Sequence, residues 1–162
     1  MLFRSELRAL IEGFEAGEAM LETRVGSWQE FGERAQTIRT RVFIEEQNIP
    51  AEMEWDAADA QAVHALALNR FGLPLATGRL LQHAPGVGRI GRMAVSQSVR
   101  GSGIGRNVLD ALTAAARQRG DHEIVLHAQT SAQAFYARAG FSARGAVFEE
   151  AGIAHIEMTR RP

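Results

Sequence analysis

Apolar residues recur three and four apart in parts of this chain and alternate or run together in most of the rest. Leu7, Leu10, Ile11 and Phe14 line one side of a helix over residues 3–21, weakened by Gly13 and Gly17. A short strand follows at Leu21–Val25, and Ser27 with Glu30 has the spacing of a capping box. The helix it opens runs to about Glu46 and ends before Pro50; residues 51–61 read as an irregular acidic loop. Three strand patterns come next, "AVHALALNR", "GLPLATGRLL" and "RIGRMAV", the first two forming a hairpin. A further helix is predicted over residues 103–119, with Ile104, Val108, Leu109, Leu112 and Ala116 on one face and Gly120 as its stop. "EIVLHA" is β-prone, "SAQAFYARAG" is a short helix from Ser131 to Gly140, and "FSARGAVFEEAGIAHIEMTR" makes two strands around a turn at Gly152. This order predicts an α/β fold built on one twisted sheet. Residues 1–21 are expected to be a helical extension, packing on the domain or on a second copy in a homodimer, and residues 22–162 a single domain.

Composition narrows the field. A chain of 162 residues has room for one sizeable core. A net charge of -1 supplies no basic footprint for nucleic acid and no polybasic membrane contact. The lack of cysteine excludes disulfides, thiolate metal sites and a cysteine nucleophile. Glu6, Glu12, Glu15 and Glu18 interrupt the N-terminal segment, which has no signal-peptide apolar core, and no run reaches the length of a membrane span. A cytoplasmic location is expected. Histidines at 64, 83, 122, 127 and 155 show no close metal-ligand spacing, and no metal is expected.

Two glycine-rich stretches compete for a phosphate-binding role. Gly86 to Gly91, "GVGRIG", matches the dinucleotide fingerprint letter for letter, but "HAP" precedes it and a strand pattern follows, where a strand and then a helix are required. It reads as a turn between strands. "SVRGSGIGRNVLDALTAAARQRG", Ser98 to Gly120, passes that test: strand, loop, helix. Unsatisfied N–H groups and the dipole at a helix start form an anion site. Glycines at 101, 103 and 105 let a phosphate reach those donors, and Arg100 and Arg106 add charge. No Gly-Lys-Ser/Thr closes the stretch, so a Walker loop is ruled out.

Arg100-x-x-Gly103-x-Gly105 resembles the Q/R-x-x-G-x-G/A signature of the GNAT N-acetyltransferases, which cradles the pyrophosphate of acetyl-coenzyme A. "RMAV" is similar to that family's splayed central strand, and "AFYARAGF" to its later motif, whose tyrosine lies near the cofactor sulfur. The resemblance covers roughly residues 22–161. "RVFIEEQNIP", "DAADAQAVHALA" and "GIAHIEM" further resemble the small bacterial ElaA-like acetyltransferases. The resemblance implies a central twisted mixed sheet flanked by helices. It implies acetyl-CoA held by Arg100, Gly101, Ser102, Gly103, Ile104, Gly105 and Arg106, by the backbone of Met93, Ala94 and Val95, and by Gln129, which stands where many members carry asparagine.

The implied reaction is attack of a primary amine on a thioester. Backbone N–H groups at Met93–Val95 would stabilise the developing oxyanion. Tyr136, the chain's only tyrosine, also contacts the cofactor and is the candidate acid for the leaving thiolate. Six carboxylates, Glu45, Glu46, Glu52, Glu54, Asp56 and Asp59, face Arg41 alone between Arg41 and Ala60 and would draw a cationic acceptor; Glu46 and Glu54 lead as the pair that takes its proton. His64 is a rival base, with His127 and His155 behind it. The alternative from another class is a non-catalytic acyl-CoA-binding or sensing domain. A module whose loop binds nothing is the third.

Overall fold

The computed structural model of this chain describes residues 21–162. The helix expected over residues 3–21 lies outside the described residues but for Leu21, its last. The elements used below are β1 (Glu22–Gly26), α1 (Trp28–Arg39), a π-helical segment (Thr40–Glu46), α2 (Ala51–Glu54), a 3-10 turn (Ala57–Gln61), β2 (Val63–Leu68), β3 (Pro74–Ala84), β4 (Val87–Val95), α3 (Ile104–Gln118), β5 (Glu123–Gln129), α4 (Gln133–Arg138), β6 (Ser142–Glu150) and β7 (Ile153–Arg160).

Local chemistry sets the helix boundaries. Ser27 Oγ accepts the Glu30 N–H and Glu30 Oε1 accepts the Ser27 N–H, each at 3.3 Å, so the capping box starts α1. The sequence suggests one helix as far as Glu46; instead α1 ends at Arg39 and wider turns continue the chain. Gln47 N–H reaches back five residues to the Val42 carbonyl at 3.2 Å. Neighbours Val42 and Phe43 both pack there with Ile38 and Ala94. Nor is 51–61 irregular: it holds α2 and the 3-10 turn, with Glu54 and Asp59 buried. Along α3, Ile104, Val108, Leu109, Leu112 and Ala116 are at most 1% exposed. Burying each larger side chain is worth about 1.5–3 kcal/mol.

The strands form one seven-stranded sheet in the order β1-β2-β3-β4-β5-β7-β6. Neighbours are antiparallel except β4 and β5, which run parallel with α3 as their crossover. β7 therefore slots between β5 and β6. Gly86, with φ of 74°, sits in the β3–β4 turn, while Val87–Gly91 are strand, as the reading of "GVGRIG" expected.

β4 and β5 pair only from Val87–Glu123 to Ile90–Leu126, although both strands continue. The cause is a bulge. Thr77 pairs Ala94 and Arg79 pairs Gly91, so the single residue Gly78 opposes Arg92 and Met93. Arg92 adopts φ of 52°, unusual for a side chain of its size. A bulge bends its strand, and past this one β4 parts from β5 and a gap opens between them.

The sheet has two unlike faces. α3 and α4 cover one, burying Ile104, Leu109, Leu126, Tyr136, Phe141 and Met158 in the main core. On the other, α1 and the π-helical segment cover β2–β4 through Phe31, Ala35, Leu66 and Leu68, and through Ile38, Val42, Phe43 and Ala94. On this same side of β5, β7 and β6, the side chains of His127, Arg144, Phe148, Glu150 and Glu157 remain exposed or half-buried.

Candidate active site

The loop between β4 and α3 holds the predicted anion site. Gly101 and Gly103 take φ of 84° and 89°, the left-handed region that glycine enters freely. A Cβ built on either would meet nothing within 4 Å. Gly103 is the N-cap of α3 and supplies no capping side chain, so the first-turn N–H groups face outward. Gly105 does a different job: a Cβ there would lie 3.0 Å from Val95 Cγ2 and 3.6 Å from the Phe135 ring. It allows α3 to close against the end of β4. Ser102 Oγ donates to the Val99 carbonyl and fixes the loop.

The arginines of the motif are partnered. Arg100 donates from Nε to the Val95 carbonyl at 3.1 Å and grips both oxygens of Glu46 at 2.9 and 2.8 Å. Arg106 bonds Asp110 at 2.9 Å and reaches the Arg138 carbonyl at 3.4 Å.

The gap beside β4 offers backbone donors. Ser96 N–H bonds Leu75 on β3 at 2.8 Å. By strand alternation the N–H and carbonyl of Val95 then point the other way, toward the gap; the Arg100 bond to that carbonyl agrees. The Met93 side chain lies toward α3 and that of Ala94 among Ile38, Val42 and Phe43. At the end of β5, Gln129 Nε2 donates to Gln47 Oε1 at 2.9 Å. Residues 46 and 47 thus touch both walls of the gap, one through Arg100 and the other through Gln129.

Tyr136 lies on α4 with its ring edge-on to Phe135 and Phe141, centroids 5.0 and 6.1 Å away. It is 8% exposed, and burial pushes its phenol up to about 12. Phe135, its neighbour, faces Gly105 and Val95. The glycine loop, the end of β4 and the tyrosine helix therefore meet at one place.

Glu46 and Glu54 each have arginine partners, and they share none. Glu46 is held by Arg100, 54 residues away in sequence. Glu54 is 3% exposed, with Oε1 2.7 Å from Arg39 Nε and Oε2 3.4 Å from Arg92 Nε. Desolvation raises its pKa, opposed by the hydrogen bond and charge of Arg39. Asp59 bonds Arg39 at 2.8 Å and Arg79 at 2.9 Å; Asp56 bonds Arg79 at 2.7 Å, a contact that holds it at about 2. Three arginines and three carboxylates form one network under Trp55, whose ring lies 4.9 Å from the Arg39 guanidinium. His64 belongs to it. Its Nε2 lies 2.9 Å from the Asp59 carbonyl, its ring 4.8 Å from that of Trp28, and burial lowers its pKa.

Sequence reasoning missed Gln47, the bulge at Arg92 and the network. One signal was available: Arg39 falls four residues after Ala35 and eight after Phe31, on the apolar face of α1. A cation on that face calls for buried partners. Among the described residues, no group of three His, Asp or Glu side chains is arranged to hold a metal, and no helix is long and apolar enough to cross a membrane.

A mixed sheet that splits beside a bulged strand, with a bare glycine loop opening a helix at the split, is the arrangement the resemblance implies for an acyltransferase that works on acyl-CoA. A sequence model of the acetyltransferase (GNAT) domain matches residues 29–162, and the chain belongs to that family. Its relatives include the uncharacterised N-acetyltransferase YjcF of Bacillus subtilis, 34% identical over 124 residues, spanning 76% of this chain and 87% of YjcF. An acyl-CoA N-acyltransferase of Pseudomonas aeruginosa superposes with a TM-score of 0.75 at 34% identity, covering 86% of this chain and 99% of that one. ElaA of Escherichia coli superposes with a TM-score of 0.78 at 27% identity, over 88% and 100%.

Proposed function

We propose that this protein transfers the acetyl group of acetyl-CoA to a primary amine by direct attack, with Tyr136 as general acid. The observation that carries the reading is the meeting of three elements at the β4–β5 gap: the uncapped first turn of α3 at Ile104–Arg106 behind the bare Gly101 and Gly103, the gap-facing backbone of Val95, and the Tyr136 helix. The open Cβ positions at Gly101 and Gly103 fit a pyrophosphate lying against the loop. Met93, Ala94 and Val95 would line the pantetheine arm, with Gln129 at the far wall. Holding the thioester there orients its carbonyl for attack.

A phenol near 12 keeps its proton at neutral pH, as a general acid must. A thiol of about 8.5 in water is the stronger acid of the two, but the burial that weakens the phenol also raises the basicity of a thiolate beside it. Glu46 and Glu54, engaged by arginines, are given no proton to carry.

Coenzyme A release from acetyl-CoA, measured across a panel of primary amines, tests the reading. Turnover with at least one amine is expected. Tyr136→Phe keeps the ring between Phe135 and Phe141 and should lower kcat by roughly 10²–10⁴, with acetyl-CoA affinity by calorimetry unchanged. A variant within about threefold of wild type would assign the proton to another donor.

A further inference from the structure

The uncovered half of the sheet carries a titratable cluster that this reading does not use. β5 and β7 set Gln129 opposite His155 and His127 opposite Glu157, and β6 sets Phe148 opposite His155. Alternate residues share a face. Because Ala128 and Ile156 face the main core, these side chains stand on the side away from α3 and α4. His155 is 7% exposed and stacks on Phe148 with centroids 5.9 Å apart and planes at 23°.

Its tautomer follows from its contacts. His155 Nδ1 lies 2.7 Å from the Ile153 carbonyl. A carbonyl only accepts, so Nδ1 carries the hydrogen and the neutral ring keeps its lone pair at Nε2. That nitrogen faces Glu150 Oε2 at 3.7 Å, beyond hydrogen-bond range. His127 is different. Its Nδ1 takes a hydrogen from Arg89 at 3.0 Å and lies 3.6 Å from the other Glu150 oxygen. Of the two histidines, His155 is the one with an unoccupied basic nitrogen.

Its place in the fold gives that nitrogen a use. His155 neighbours Gln129 at the end of β5, one strand from the gap. Tyr136 belongs to the opposite face of the sheet. Resting on the acetyltransferase reading, we propose that His155 Nε2 is the proton acceptor for the amine substrate, which docks as a cation beside Glu150, Phe148 and Gln129. The ammonium gives one proton to His155, and the freed lone pair forms the C–N bond to the thioester carbonyl carbon. The C–S bond breaks, and the sulfur takes its electron pair and then a proton from Tyr136, which is restored from solvent. Nitrogen loses its second proton to solvent as the amide forms, and His155 then passes the first to solvent and regains its free Nε2. The products are an N-acetyl amine, coenzyme A and one released proton. Glu150 from β6, 3.7 Å from Nε2, faces the charge so formed; His127 with Arg89 behind it, and Glu157 held by Arg144, are the other charged and titratable groups of the cluster.

His155→Asn tests this, because an asparagine amide can keep the hydrogen bond to the Ile153 carbonyl while Nε2 is lost. Ethylamine, cationic at neutral pH, is compared with 2,2,2-trifluoroethylamine, already neutral, alongside the amine panel. With ethylamine the variant's kcat/KM at neutral pH should fall roughly 10²–10⁴ and climb with pH as the amine deprotonates in solution. With trifluoroethylamine it should stay within a few fold of wild type, and acetyl-CoA affinity should not change. Equal losses with both amines would make His155 a packing residue, and no loss with either would assign the proton elsewhere; both overturn the proposal and leave the acetyltransferase reading intact. Wild type that acetylates no amine sinks that reading and this assignment together, before any variant is compared.

Discussion

The glycine loop gives the start of α3 no capping side chain, although Arg100 and Ser102 N–H bond back to Gln97 and Val99, whereas residues 45–59 close four of their six carboxylates on arginines. Both stretches are dense in one kind of chemistry, and density alone does not tell a ligand site from a scaffold. Partners do. Around Gly101 and Gly103 a side chain would meet nothing within 4 Å, and both residues hold a left-handed backbone. Around Glu54 and Asp59 the counter-charges are in place and water is excluded. The first region leaves room that the fold does not fill, the room the proposed cofactor would take; the second fastens α1, α2 and β3 to the bulge of β4.

The sharpest way to break this contrast is to remove the cation at the centre of the network. Arg39→Met keeps an apolar stem under Trp55 but leaves Glu54 and Asp59 buried without it. Breaking such a pair costs about 3–5 kcal/mol, a melting drop on the order of 10 °C for a domain of this size. An unchanged melting temperature would show that the network is dispensable. Next in size is Gly103→Val. Acetyl-CoA at a hundred times its dissociation constant should stabilise wild type by about 2.7 kcal/mol, a rise of roughly 5–10 °C. The variant should show no rise, because a branched side chain would occupy the open space and strain a left-handed residue. A full ligand shift in the variant would mean that the pyrophosphate lies elsewhere. The smallest effect belongs to Glu46→Gln. Its pair with Arg100 is part-exposed, and such pairs contribute about 0–1 kcal/mol, so the melting curve should barely move. The KM for the amine should also hold; a clear rise would return residues 45–59 to the acceptor site.

The legible parts of the fold were the local ones. The apolar face of α3, the Ser27 capping box and the Gly152 turn are written within a few residues of themselves. The glycine loop was legible as a loop for the same reason, since positive φ at Gly101 and Gly103 is a property of a few residues. The division of labour within it was not, because Gly105 is explained only by Val95 and Phe135. The acidic segment misled through its window. Its counter-ions, Arg39, Arg79, Arg92 and Arg100, all lie outside it, and solvated acids and buried acids spell the same letters. His155 stood in the sequence as one histidine among five. Its tautomer and neighbours come from strand pairing between distant segments, which periodicity cannot reveal.

The insertion of β7 between β5 and β6 has a consequence for how the protein is made. Segments of a chain emerge in order at about 5–20 residues per second. When β6 has been synthesised, β5 still has an unpaired edge beside Ile124, Val125 and Leu126, and the strand that fills the slot does not yet exist. An unpaired apolar edge is a template for association with other chains, so until residues 153–160 dock, the chain carries an edge exposed to aggregation. Those same residues bring His155 to Gln129. A nascent chain short of β7 thus lacks both its sheet closure and the cluster on its open face, and protection from misassembly arrives together with the proposed chemistry.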